Sequence, residues 1–301
     1  MTTLVVGRGL LGRAVIGSLA RRKRAVQTVD VPWEDPGAAV RALRRACERA
    51  AATDEAWQLA WTAGAGVIAT PEDELTQEVL TFHTLLAGLR DPPSAMFLAS
   101  SAGGVYAGSP DRAPFSETSA VGALSPYGRA KLAMEGTAAE LAERGSRVVL
   151  GRIANLYGPG QDLTKNQGLV SQLCVTHLTQ QPLQVYAAMD SLRDYIFVRD
   201  AAELVVSCLD RAALMESGRV VVKILASGQS RSVGSVIGES TRAFRRRPHI
   251  VIRGASSQVM DLRLRSTTWA DLDSVAQTPF LVGLRATVDD LSVHMRSGPL
   301  A

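Results

Sequence analysis

The chain has 301 residues, 46% apolar and 21% charged, the balance of a water-soluble globular protein with room for one large or two modest domains. No apolar run approaches the roughly 20 residues that span a bilayer, so no membrane association is expected. The net charge of +4 admits an anionic partner. However, the clusters Arg21-Arg22-Lys23-Arg24 and Arg245-Arg246-Arg247 each close a helical pattern and lack interleaved aromatics, so nucleic acid is not the expected partner.

Thr3–Val6 is a short apolar run stopped by Gly7 and reads as a buried parallel strand. Leu10–Leu19 has apolar residues at helical spacing. Ala25–Val31 alternates as a second strand, and Pro36–Ala52 reads as a helix with Asp35 as its N-cap. Short apolar stretches at Ala56–Ala60 and Val67–Ala69 flank the small-residue segment WTAGAG. A long helix is expected over Glu72–Leu89, a strand over Ala95–Ser100, a helix over Tyr127–Arg144 and a strand over Arg147–Ile153. After Tyr157 the pattern loosens. Helices near 167–180 and 200–214 alternate with apolar stretches at 183–186, 195–198 and 219–225. Strands alternating with helices predict an α/β protein, a Rossmann-type doubly wound parallel sheet with a smaller α/β substrate-binding domain. The expected division is 1–157 for the sheet domain and 158–301 for the smaller one, with part of 185–215 returning to the sheet. Cys47, Cys174 and Cys208 show no metal spacing, so no metal is expected. Together with an N-terminus that lacks a signal-peptide pattern, they fit a reducing, cytoplasmic compartment.

Gly7-Arg8-Gly9-Leu10-Leu11-Gly12 follows a strand and opens a helix. Gly7 permits a tight turn, Gly9 lets a pyrophosphate approach the backbone, and Gly12 allows close helix–strand packing. The N–H groups at the helix start, including those of Leu10 and Leu11, face the phosphates. Asp30 then falls where a carboxylate accepts hydrogen bonds from a ribose diol and repels a 2′-phosphate. NAD is therefore expected in preference to NADP, although Arg8 and Arg13 are cations able to meet a 2′-phosphate. The segment VDVPWED is too short for the helix and strand that a doubly wound sheet places there, so the adenosine end of the site is expected to be abbreviated. Trp33 reads either as a cover for the adenine or as core.

Ser125-Pro126 starts the helix that carries Tyr127 and Lys131, which at i, i+4 share a face. An ammonium beside a phenol favours the phenolate, which can act as a general base. Alone, this spacing is a common accident. Here it stands in an ordered series: the glycine motif, Ser100-Ser101 at a strand end, Tyr127 and Lys131, then RIANLYGPG from Arg152 and RDYIFVRD from Arg193.

That series resembles the extended short-chain dehydrogenase/reductases of the NAD-dependent nucleotide-sugar epimerase/dehydratase family, over nearly the whole chain and most specifically over 97–200. The resemblance implies Tyr127 as catalytic base and Lys131 as its partner and a ligand of the nicotinamide ribose. It implies Asn155 and Arg193 as contacts of a nucleotide-diphosphate sugar, with Arg263 or Arg265 as a further phosphate ligand. It also implies a homodimer formed through helices 72–89 and 127–144. The expected reaction is epimerisation, at C4, through a transient 4-keto sugar. The rival readings are a net oxidoreductase with an exchangeable cofactor and a non-catalytic dinucleotide-binding protein.

The chain departs from the family pattern just before Val105-Tyr106. Where the family often has Ser or Thr, this chain has Ala102, which leaves Ser101 as the preferred hydroxyl and Ser100 as the second candidate. Where family dehydratases resemble one another in an Asp-Glu pair, this chain has Gly103-Gly104, so a 4,6-dehydratase is not expected. Nothing in the pattern places Glu117 or Glu135 at the chemistry.

Overall fold

Runs such as Thr2–Val6 and Ala95–Ser101 are short and mostly apolar, and in the computed structural model they form the middle of a parallel sheet. The structure describes residues 1–53, 56–64, 70–162, 168–253 and 260–297. The sheet contains β1 (Thr2–Val6), β2 (Ala25–Thr28), β3 (Gln58–Trp61), β4 (Ala95–Ser101), β5 (Arg147–Ile153) and β9 (Val220–Leu225), in the order β2-β1-β3-β4-β5-β9. All five pairings are parallel. Helices α1 (Leu10–Arg21) and α7 (Val198–Ala213) cover one face, where Val5, Ala60, Phe97 and Val149 point. Helices α2 (Pro36–Ala51), α3 (Glu72–Ala87) and α5 (Pro126–Glu140) cover the other, where Leu4, Val6, Leu59, Trp61, Met96 and Leu98 point. This alternation along each strand is the period-2 pleat, with both faces buried.

The strand order accounts for the shortened segment after Asp30. A full doubly wound half places its third strand outside the second before the chain crosses to the other side of the first. Here β2 is followed directly by α2 and then by β3 on the far side of β1, so among the described residues no strand lies outside β2, which is the sheet edge. The second strand is also shorter than the alternation of Ala25–Val31 predicts, because it ends at Thr28. The prediction at Val67–Ala69 lies outside the described residues.

Beyond Tyr157, α7 and β9 pack on and extend the central sheet. The rest forms a smaller layer with its own core, including Leu173, Cys174, Phe197, Val236, Phe280 and Leu284. It holds α6 (Leu169–Thr179), α8 (Val233–Phe244) and α9 (Phe280–Ser297). Its strands are β6 (Asn155–Tyr157), β7 (Leu183–Val185), β8 (Leu192–Phe197), β10 (Ser230–Ser232), β11 (Ile250–Ile252) and β12 (Asp261–Leu262). β8 is the hub of this layer and pairs with β10, β12 and β6.

The first basic cluster is consumed internally. Arg21 and Arg22 bind Glu203 of α7, and Arg22 and Arg24 bind Asp210 of α7, fastening α1 to α7. All three cysteines are free and buried. Among the described residues, no helix is long and apolar enough to cross a membrane and no His, Cys, Asp or Glu cluster could hold a metal.

Candidate active site

The carboxyl ends of β1, β3, β4 and β5 open on one side of the sheet, with the order reversal between β1 and β3 at its centre. In open α/β sheets this is where ligands bind. Gly7 follows β1 at φ +96°, a left-handed conformation in which a Cβ would strike the Ala63 backbone. Thr62 fixes this turn, its Oγ1 donating to the carbonyls of Val6 and Gly7, both at 2.9 Å. Gly9 has nothing within 4 Å of where a Cβ would stand, so its backbone faces open space. As N-cap of α1 it offers no side-chain cap, and the first turn contains no acidic residue. Leu10 and Leu11 open the helix, Leu11 buried in the core, and Gly12 packs against the Gly7 carbonyl. A bare, uncapped helix start beside open space suits a pyrophosphate, and these residues fit a dinucleotide.

Asp30 lies two residues beyond β2, not at a strand end, and its side chain is 81% exposed. Its carboxylate is paired with Arg8, so Arg8 is engaged as a counter-ion for the residue expected to read the ribose. Arg13 donates to the Gly160 carbonyl at 2.7 Å, joining α1 to the YGPG turn. Trp33 is 42% exposed and stands edge-on to buried Trp61 at 6.4 Å.

Ser125 caps α5 by accepting from the Gly128 N–H at 3.1 Å, and Pro126 occupies the first turn. The helix thus begins so that Tyr127 and Lys131 share one side, with the Lys131 Nζ 5.6 Å from the centre of the Tyr127 ring. Ser101 ends β4 and caps a short helix, α4 (Ala102–Tyr106), its hydroxyl accepting from the Gly104 N–H at 3.1 Å. A Cβ on Gly104 would lie 3.2 Å from the Tyr127 ring and 3.4 Å from the Ser101 Cβ. The structure therefore brings Ser101 and Tyr127 to the same point, and the glycine is what lets α4 approach the ring. Ser100 does not join them. Its hydroxyl is buried and donates to Glu135 at 2.6 Å.

Two acidic residues near the site were not assigned by sequence reasoning. Glu78, on α3, accepts from Lys131 Nζ at 3.2 Å, with both side chains largely buried. Burial pushes the Lys131 ammonium down, but the Glu78 carboxylate and the Tyr127 phenol outweigh it and hold Lys131 above its ordinary value. Glu135 forms a two-pronged pair with Arg152 beneath the site, and Arg152 also donates to the Tyr106 hydroxyl at 2.8 Å. Both carboxylates carried a sequence signal. Glu78 falls in the 75-82-85-86 stripe that α3 buries, and Glu135 follows Lys131 at i+4 on the buried side of α5.

The residues expected to hold a diphosphate divide. Asn155 on β6 pairs in register with Tyr195, which lies two residues from Arg193 on β8, so Asn155, Tyr195 and Arg193 share a sheet face. Asn155 donates to the Asp194 carbonyl at 2.9 Å. Arg193 donates to the Leu192 carbonyl at 2.8 Å, and burial pushes its guanidinium down. Arg263 forms a bidentate pair with Asp261, Nε to Oδ1 and Nη2 to Oδ2, and lines a recess of about 410 Å³ with Tyr106, Ser109 and Arg112. Glu117, four residues after Ala113 in the α4–α5 loop, binds Ser266, Thr267 and the Ile224 N–H, clamping the segment after Arg263 against β9.

The profile of the NAD dependent epimerase/dehydratase family matches residues 3–222. Among curated proteins, a dTDP-4-dehydro-6-deoxyglucose reductase of Escherichia coli is 31% identical over 116 residues. The match covers 38% of this chain and only 36% of that enzyme. Among solved structures, a UDP-glucose 4-epimerase with UDP-glucose from Thermotoga maritima matches with a TM-score of 0.83 at 19% identity, over 98% of this chain and 100% of the other. An NAD-dependent NDP-hexosamine 5,6-dehydratase of tunicamycin biosynthesis matches with a TM-score of 0.75 at 21% identity, over 97% of this chain and 98% of the other. At these identities the two structures establish a shared fold.

Proposed function

The chain belongs to the NAD-dependent epimerase/dehydratase family, and from that premise we propose that it is a nucleotide-sugar epimerase acting at C4 through a transient 4-keto sugar. The observation that carries the reading is the meeting of Tyr127 and Ser101 at Gly104, with Lys131 5.6 Å from the centre of the Tyr127 ring; Gly103-Gly104 stand where the resemblance places the Asp-Glu pair of 4,6-dehydratases. NAD, when bound, supplies the two-electron acceptor and donor for the sugar carbon. Tyr127 takes the proton of the C4 hydroxyl and returns it, with Lys131 beside its ring to hold the nicotinamide ribose. Ser101 orients the substrate oxygen, while Asn155, Arg193 and Arg263 hold the diphosphate. Leu10 and Leu11, with Gly7, Gly9 and Gly12, form the cradle for the cofactor phosphates, and Asp30 meets its ribose.

The test is Tyr127→Phe. Its epimerase activity on a panel of nucleotide sugars should fall by about 10² or more, the scale of a lost general base. A variant with full activity overturns the assignment.

A second reading is a net oxidoreductase that exchanges its cofactor. The absent outer strand supports it, because the adenosine end then has less protein around it. An ultraviolet spectrum of the denatured protein separates the two. Released stoichiometric dinucleotide supports the epimerase, and an empty protein supports the exchanger.

The reading extends to a homodimer through α3 and α5, where Leu80 is 53% exposed on α3, and to a cytoplasmic setting in which the three free cysteines stay reduced.

A further inference from the structure

Lys131 is held by a carboxylate that the Tyr–Lys pattern does not contain. Among the described residues, Glu78 is the one acidic group within ion-pair distance of Lys131, at 3.2 Å, and the two side chains are 14% and 6% exposed. A buried charge pair of this kind is costly to assemble and is weak evidence for stability on its own. The α3–α5 contact already has a second ion pair, Arg129 with Glu72 at 2.8 Å on the surface, which can register the helices without burying charge. The pair also packs against the segment that follows β3. Gly64 follows β3, and a Cβ there would lie 3.0 Å from the Lys131 Nζ and 3.4 Å from the Glu78 Oε1. Gly64 is exposed and follows Ala63, whose backbone packs against Gly7, so the pair lies close to the glycine turn at the carboxyl ends of β1 and β3.

We propose that Glu78 is a cofactor-positioning residue that acts through Lys131 and keeps the site from favouring the reduced dinucleotide. The inference rests on the reading of Lys131 as the residue beside the nicotinamide ribose. Oxidised nicotinamide bears a positive charge and reduced nicotinamide bears none. An unopposed ammonium beside the ring favours the reduced form. Glu78 cancels that ammonium, so the pair as a whole leaves the cationic ring tolerated. An enzyme that must start each turnover with oxidised cofactor benefits from this cancellation, whereas one that exchanges reduced for oxidised cofactor does not need it.

The experiment measures the dissociation constants of NAD and NADH by calorimetry, at one pH, for the wild type, Glu78→Gln, Lys131→Met and the double variant. A unit charge in a low-dielectric pocket shifts such an equilibrium by roughly tenfold, which for this two-electron couple is about 30 mV. Glu78→Gln should therefore lower the ratio of the NADH constant to the NAD constant by roughly tenfold. Lys131→Met leaves Glu78 unopposed and should raise the ratio. The double variant removes both charges, leaves none buried and unpaired, and should return the ratio to within about threefold of the wild type. It also serves if Glu78→Gln alone is too unstable to titrate, because a return to the wild-type ratio against the raised ratio of Lys131→Met isolates the effect of Glu78.

If removing the Glu78 charge moves both constants together, or neither, while Lys131→Met changes the ratio, Glu78 is an ordinary interhelical ion pair and the proposal fails. If Lys131→Met leaves both constants unchanged, the reading of Lys131 fails and the proposal with it.

Discussion

The Ser101 hydroxyl has two tasks that compete for one oxygen. As the cap of α4 it accepts from the Gly104 N–H, and as the candidate catalytic hydroxyl it must donate toward the substrate. A hydroxyl can do both at once, since it donates one proton and accepts on its lone pairs. Ser101→Ala should therefore lose about 1 kcal/mol of stability from the cap as well as activity. Ser101→Thr should restore both, and denaturation curves read beside turnover numbers check the pairing. The Glu135–Arg152 pair is structural by contrast, with side chains 6% and 7% exposed. Glu135→Ala strands the guanidinium and should cost about 3–5 kcal/mol in a urea titration. Glu117 contributes to acid stability. Burial pushes its carboxyl up, but bonds from the Ile224 N–H and from Thr267 outweigh burial and hold it below 4.5. A depressed carboxylate stabilises the fold above its unfolded pKa, and that contribution is lost as pH falls through the folded value. The wild type should thus lose stability faster than Glu117→Gln below about pH 4.5, as followed by melting temperature against pH.

At the scale of elements, α4 was absent from the sequence reading because Ala102-Gly103-Gly104-Val105-Tyr106 has the composition of a loop. Its packing on α5 adds to the Ser101 cap, and that packing needs the glycine at 104. Gly104→Ala places a methyl 3.2 Å from the Tyr127 ring, so the ring or α4 must shift. Turnover should fall about tenfold or more, because small misplacements of catalytic groups are expensive, while the circular dichroism spectrum stays unchanged. Elements with a strong local signal were legible beforehand. The glycine turn, the Ser125-Pro126 start of α5 and the apolar central strands each follow from residues close together in sequence. Glu78 was not legible as a partner of Lys131, because its meaning depends on α3 lying beside α5, 53 residues away. The short strands around β8 were equally opaque. Their register joins segments around 155, 193, 231 and 261, and no local period encodes it.

At the scale of the molecule, the sheet loses a strand on the side of β2 and keeps its full run on the side of β9. The proposed dimer uses neither edge, since α3 and α5 lie on a face. Leu80→Arg should convert a dimer to a monomer in sedimentation equilibrium without altering the melting of the monomer fold, because Leu80 is already 53% exposed in one chain.

The place of β9 sets the order in which the protein can be completed on the ribosome. β5 is paired on one side only by β4, and its other neighbour is not made until residues 220–225. The helix that covers one face of that half of the sheet, α7, is likewise made late, and it is the helix to which Arg21, Arg22 and Arg24 must fasten. From the completion of β5 at Ile153 until β9 is made, the nascent chain therefore carries an open hydrophobic strand edge, a hazard for pairing with other chains. A chain stopped just before β9 should accumulate in the insoluble fraction, although every residue of the glycine turn and of the Tyr127–Lys131 pair is already present.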